Sequence, residues 1–174
     1  VFLAPNAQRA PTSSKVFREA LWQAIDKTAL IRGAYGGRRM PAVSFLPSSM
    51  WSMDDTLPER HDVERARQLV MASGYDGREL NVFIVDNSVG RRVGEMLQAD
   101  WARVGIKVKV QTMELGELTK RAGKGEHDIV LRSWVSDNGD PDNFFTPNLS
   151  CAAVAGGGNK SRWCHAGFDA LLEE

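Results

Sequence analysis

Apolar residues recur at helical spacing over 13–25, "SSKVFREALWQAI", where Phe17, Leu21, Ala24 and Ile25 share one face. Ser13 and Ser14 precede them as candidate caps. Asp26 stands before a second short helix, "KTALIRGAYGG", which runs out in glycines. Residues 37–58 hold three prolines and no clear period, so they predict an extended loop. Asp62 is placed to cap "VERARQLVMAS", and Gly74 supplies its stop. The most regular stretch follows. "ELNVFIV" (79–85) is a nearly unbroken apolar run, the pattern of a strand covered on both faces. Asn87 and Ser88 introduce a helix with Val89, Val93, Met96, Leu97, Trp101 and Val104 on its apolar side, and Gly105 ends it. "IKVKVQTM" (106–113) alternates strictly, with Ile106, Val108 and Val110 on one face. A shorter helix, "ELGELTKRAGKG", leads to a further strand, "HDIVLRSW" (127–134).

This alternation predicts an α/β fold with a largely parallel βαβαβ core. Strands are expected near 80–85, 106–112 and 128–134. Helices near 88–104 and 114–123 serve as right-handed crossovers. There is no internal repeat and no low-complexity tract; Gly156–Gly158 reads as a loop.

Composition narrows the classes without choosing among them. Of the 174 residues, 43% are hydrophobic and 25% charged, as in ordinary soluble globular chains. The 22 basic residues balance the 22 acidic ones, which argues against a nucleic-acid partner or an anionic membrane surface. No apolar run approaches the ~20 residues of a membrane span. The start, "VFLAPNAQRAP", lacks the pattern of a secretory signal. The end, "GFDALLEE", opens an amphipathic helix without a cap, Gly or Pro after it, so the chain is expected to be cut there.

The densest chemistry lies in "RSWVSDNGDPDNFF" (132–145), where Asp137, Asn138, Asp140, Asp142 and Asn143 follow a strand and a tryptophan. In open α/β sheets the crevice beyond the carboxyl ends of parallel strands is where ligands bind, and Trp134 and Asp137 stand at such an end. A calcium loop would need oxygen ligands at positions 3 and 5 and glutamate at 12. Counted from Asp137 these are Gly139, Pro141 and Asn148, so the pattern fails. Paired carboxylates for glycoside hydrolysis, Asp137 with Asp140 or Asp142, are a rival reading. A plain turn is another, since Asp, Asn, Gly and Pro are the usual turn formers. It suits Asp140 and Asp142 well, because "DPDNFF" reads as a helix start.

Other candidates carry less. Cys151 and Cys164, with His165 adjacent, have twelve residues between them and match no common zinc spacing. A disulfide closing a glycine-rich loop and two unrelated buried thiols both remain open on the residues alone. His61 stands before a helix cap and His127 at a strand start. No serine or cysteine has a nucleophile setting such as GxSxG. "GGRR" (36–39) lacks the spacing of a phosphate loop. Trp22 and Trp101 fall on apolar helix faces and are expected in the core. Trp51, Trp134 and Trp163 sit in or beside loops, where an amphipathic ring often covers a ligand or an interface.

Taken together, these stretches resemble one family, the peptide-binding branch of periplasmic solute-binding proteins. Its members serve ATP-driven importers of oligopeptides, dipeptides, glutathione, nickel and haem. "VFREALWQAIDKTALIRGAYGG" is similar to its "VRQAL"-type helices, and "DVERARQLVMASGYDG" to its "D…KARQLL…AGY" helix. The run from "RRVGEMLQADWARVGIKVKVQTM" through "RSWVSDNGDPDNFF" is close to dipeptide-binding proteins throughout, as is "SCAA…WC…FDALL". The resemblance covers essentially all 174 residues. Family members are roughly three times this length. The resemblance therefore implies that residues 1–174 are a partial second, ligand-binding lobe of a two-lobed clamp.

The resemblance further implies a peptide or peptide-like ligand, a membrane permease as partner, a monomer, a periplasmic home, and neither catalysis, cofactor nor metal. It implies that Trp134-Val135-Ser136-Asp137 lines the cleft, with Asp137 holding the ligand's α-ammonium through a charge-assisted hydrogen bond. Ser136 and Trp51 are carried as further ligand-binding candidates. It also implies a Cys151–Cys164 bridge, which would place the chain in an oxidising compartment. One departure stands out. Dipeptide binders carry an Arg in a longer loop before the "RR…QADWA" helix, where it grips the ligand carboxylate. Here the matching stretch is "VDNSVG", without Arg. The ligand is then a longer peptide, a modified peptide or another amine-bearing solute, with a nickel-complex or haem carrier as the alternative within the same fold.

Overall fold

The computed structural model describes residues 1–47, 50, 56 and 61–173. Four strands form one sheet: β1 (Phe2–Pro5), β2 (Leu80–Val85), β3 (Val108–Met113) and β4 (Ile129–Arg132). Their order is β1-β4-β2-β3. β2 is central and pairs in parallel with β3, Leu80 opposite Val108, and with β4, Val82 opposite Ile129. β3 and β4 follow one another in the chain but lie on opposite sides of β2. Two right-handed crossovers that run in opposite directions must cover opposite faces, and they do. The first helix, α4 (Ser88–Arg103), packs on one face and the second, α5 (Leu115–Gly123), on the other. β2 is thus covered twice, which explains its unbroken apolar run.

β1 pairs antiparallel with β4, Phe2 opposite Arg132. The sequence reading assigned it no strand. Four residues show no usable period, and Pro5 is tolerated because an edge strand need not donate on its outer side.

The local signals for the helices hold. Ser14 accepts from the Phe17 N–H and starts α1 (Lys15–Gln23). Asp26 accepts from Ala29 and starts α2 (Lys27–Tyr35), which ends at Gly36 in the left-handed conformation. Asp62 accepts from Arg65 and starts α3 (Val63–Ala72). Asn87 accepts from Gly90 and starts α4. Three further helices follow: α6 (Asp142–Leu149), α7 (Cys151–Ala155) and α8 (Ala166–Leu172). The main core joins α1, α3 and α4 to the sheet through Phe17, Leu69, Val82, Ile84, Leu97, Trp101 and Ile129.

Two expectations about helix faces are corrected. Trp22 is not core: it is 48% exposed, and the Lys27 ammonium lies 5.3 Å from its ring centre. It sits beside Leu21 on the helix, and only one of two neighbours can face inward. Val89 is exposed as well. The side of α4 that meets the sheet carries Gly90 and Gly94, where a Cβ would lie 2.3 Å from the Val85 carbonyl oxygen and 2.8 Å from a Val110 methyl. An apolar-periodicity count passes over glycines, and here they set how closely the helix approaches the strands.

Cys151 and Cys164 are joined by a disulfide. Residues 151–155, expected to be part of a glycine-rich loop, form α7 with Ser150 as its cap. The rest of the loop is ordered by Asn159, buried, whose amide donates to the Ser150 and Trp163 carbonyls. Closing a loop of this size contributes about 3 kcal/mol, in the simplest account by restricting the unfolded chain.

His127 and Asp128 are both fully buried where the chain enters β4. The imidazole Nε2 lies 2.8 Å from the Lys160 carbonyl oxygen, so it carries the proton and donates. Nδ1 is bare, buried and without a partner. Burial pushes the imidazole pKa down to about 4, against the opposing pull of the Lys160 carbonyl and the Asp128 charge. A histidine held neutral in the fold gives stability that is complete above its unfolded pKa of about 6.5. That stability drains away as the pH falls towards 4. The expected loss across this window is about 3 kcal/mol. Urea unfolding at pH 7.5 and pH 4.5 measures it. His127→Gln, which cannot take up a proton, should flatten the difference; an unchanged pH dependence in that variant would assign it elsewhere.

Candidate ligand-binding site

The carboxyl ends of β2 and β4 open onto a depression of about 350 Å³. Its lining includes Tyr35 from α2, Val85 from β2, Asn87 and Ser88 at the start of α4, and Arg132 and Ser133 at the end of β4. This is the position at which an open parallel sheet offers a crevice. Beyond it the chain runs through Trp134 to Asp142 and into α6.

The acidic loop separates into parts with different employment. The Ser136 hydroxyl accepts from the Gly139 N–H at 2.9 Å. Asn138 accepts from the Asp140 N–H at 3.0 Å. Asp140 accepts from the Asp142 N–H at 2.9 Å, and the Asp142 carboxylate accepts from the Thr146 hydroxyl. Asp140 and Asp142 therefore build the turn and the first turn of α6. Acids there complement the helix dipole, while Pro141, in helical conformation, leads into the helix. Asp137 is the exception. It is exposed, and its carboxylate makes no hydrogen bond or ion pair with any described residue.

Trp134 is half-buried and packs on a small cluster formed by Leu46, Met50 and Phe144. Its indole N–H donates to the Asn143 side chain at 3.2 Å, which ties the ring to α6. Phe45, 59% exposed, stacks on Phe144 with centroids 6.1 Å apart. An apolar ledge with a fixed tryptophan thus stands beside the loop that carries the unpaired carboxylate. Ser136 is half-buried and engaged within the turn. Trp51 lies outside the described residues. Trp163 is used locally: it stacks on His165 and meets Phe168 edge-on.

Among the described residues no group of three or more His, Cys, Asp or Glu side chains is arranged to hold a metal ion. Of the residues around the depression, sequence reasoning passed over Arg132. Its signal was a lone charge inside the apolar run "DIVLRSW".

Residues 1–156 match the family described as Bacterial extracellular solute-binding proteins, family 5 Middle. The chain belongs to this solute-binding family. It is 38% identical over 179 residues to the dipeptide-binding protein of Escherichia coli K12, covering 99% of this chain and 34% of that protein. It is 37% identical over 180 residues to heme-binding protein A of Haemophilus influenzae, covering 99% of this chain and 33% of that protein. Among solved structures, the dipeptide-binding protein of Pseudoalteromonas sp. SM9913 in complex with Met-Leu superposes with a TM-score of 0.92. It is 32% identical, covering 98% of this chain and 35% of that one. The chain thus spans about a third of the length of the curated relatives it matches. The periplasmic-binding-protein fold inferred from the βαβαβ pattern and the resemblance is the fold these neighbours share.

Proposed function

We propose that this chain is the ligand-binding part of the second lobe of an extracytoplasmic solute receptor. The receptor captures peptides or peptide-like amines and hands them to the permease of an ATP-driven importer. One observation carries the assignment of the site. Of the three acids in the loop after β4, Asp137 alone has no intramolecular partner among the described residues. A carboxylate left free beyond the carboxyl end of a parallel strand, next to a fixed tryptophan, suits an ammonium group with an apolar neighbour. Trp134 and Ser136 shape that place, Trp134 as a wall and Ser136 as the hinge of the turn that presents Asp137.

The protein works by stoichiometric capture and carries out no reaction. The hydrolase alternative needs two free carboxylates, and Asp140 and Asp142 are committed to backbone and side-chain hydrogen bonds. The haem alternative has the Haemophilus relative behind it. Each of the three histidines here, however, has an intramolecular partner. The periplasm is the proposed location. The disulfide supports it, because such a bond persists in oxidising compartments and is rare in reducing ones.

The deciding experiment uses the full-length protein, purified from the compartment in which it is made. Mass spectrometry of co-purified small molecules, followed by calorimetry with those found, should show one amine-bearing ligand per protein and no turnover. Release of a cleaved product, or saturable binding only of haem, would overturn the reading.

A further inference from the structure

β4 ends in a charge that the fold does not balance. Arg132 is its last residue, paired across the ladder with Phe2. The residue is half-buried, and its Nε is buried without an acceptor. No described residue forms a hydrogen bond or ion pair with the guanidinium. Burial lowers its pKa, and no neighbouring carboxylate offsets that. The charge close to it has the same sign: the Lys160 ammonium is depressed by burial and then by Arg132. Other arginines here are treated differently. Arg9 and Arg78 both reach Asp128, and Arg18 donates to the Thr12 and Ser13 carbonyls.

Partial burial of an unpaired guanidinium opposes folding. Arg132 also lines the depression at the strand ends together with Asn87, Ser88 and Ser133. A cation that is uncompensated within the chain and sits at the mouth of the crevice is placed to meet an anion from outside. Its planar fork favours a carboxylate, which it binds through two parallel hydrogen bonds.

We propose that Arg132 supplies the counter-charge for a carboxylate of the captured solute. This rests on the solute-capture reading above and adds a specificity to it. Arg132 and Asp137 lie on one strand-to-loop segment, a free cation followed five positions later by a free anion. The segment therefore selects a zwitterion over a simple amine.

The test is calorimetry on the full-length protein with three probes: Ala-Ala, Ala-Ala amide and Ala-Glu amide. Wild type should prefer a carboxylate-bearing probe to Ala-Ala amide by about tenfold or more, the scale of a charge-assisted hydrogen bond. Arg132→Met should remove that preference while leaving affinity for Ala-Ala amide unchanged. Arg132→Lys should keep part of it. The preference is a ratio measured within each protein, so a loss of folded material does not imitate the result. Preference for Ala-Ala assigns Arg132 to a terminal carboxylate, and preference for Ala-Glu amide alone assigns it to an acidic side chain. Equal binding of all three probes by wild type, or an unchanged preference in Arg132→Met, overturns the inference but not peptide capture. Binding of none of them overturns both.

Discussion

Asp128→Ala is expected to lower the free energy of unfolding by about 3–5 kcal/mol, because it strips the counter-ion from two arginines at once. The Asp128 side chain is 0% exposed, and Arg78 grips it at 2.6 and 3.1 Å. Arg9 adds a contact at 3.1 Å, and the Asn81 N–H donates at 2.8 Å. Burial alone would raise the carboxyl pKa. The Arg78 and Asn81 hydrogen bonds, with the charges of Arg78 and Arg9, outweigh it and hold the group below its ordinary value. The arginine side chains remain 41% and 33% exposed, so water takes over part of their loss. The lower end of the range, about 3 kcal/mol, is the expected figure. The carboxylate also ties the N-terminal segment, the chain before β2 and the entry to β4 into one unit. Urea unfolding of Asp128→Ala beside Arg9→Ala checks this. Arg9, half in solvent, should cost at most about 1 kcal/mol. A cost below that for Asp128→Ala would show that the cluster contributes little.

The second large effect is on binding. In the full-length protein, Asp137→Ala should weaken capture of an amine-bearing ligand by about 3–5 kcal/mol when the closed cleft desolvates the pair. Asp140→Ala and Asp142→Ala serve as controls. Both carboxylates already accept bonds within the turn and α6, so their loss should act on the stability of the loop and spare the ammonium contact. Calorimetry with the co-purified ligand and with its N-acetylated form separates the cases. Acetylation removes the ammonium, so wild type and Asp137→Ala should then bind alike. Equal affinities for the unmodified ligand would refute the role of Asp137.

Much of the fold was legible in the chain. Ser14, Asp26, Asp62 and Asn87 each cap the helix they were expected to cap. The strands over 80–85 and near 106–112 and 128–134 fall where periodicity puts them. These signals act between residues a few positions apart, so they survive without knowledge of the rest of the molecule. Trp22 shows the limit of the same reasoning: periodicity marks a stripe but does not say which of two adjacent apolar residues turns inward.

The site was legible in its location and not in its employment. Residue types alone left Asp137, Asp140 and Asp142 equivalent candidates. Their hydrogen bonds divide them, since two complete a turn and one stays free.

By itself the sequence determined where helices and strands lie and which loop bears the chemistry, because capping and apolar spacing are short-range effects. The tertiary structure decided the rest. It placed β2 between β3 and β4, and it added the edge strand β1. It also brought Arg9, Arg78 and Asn81 to Asp128 across separations of 119, 50 and 47 residues. Finally, it left Arg132 without a partner. Whether a charge is compensated depends on which distant groups the sheet order brings within a few ångströms, and no local pattern carries that information.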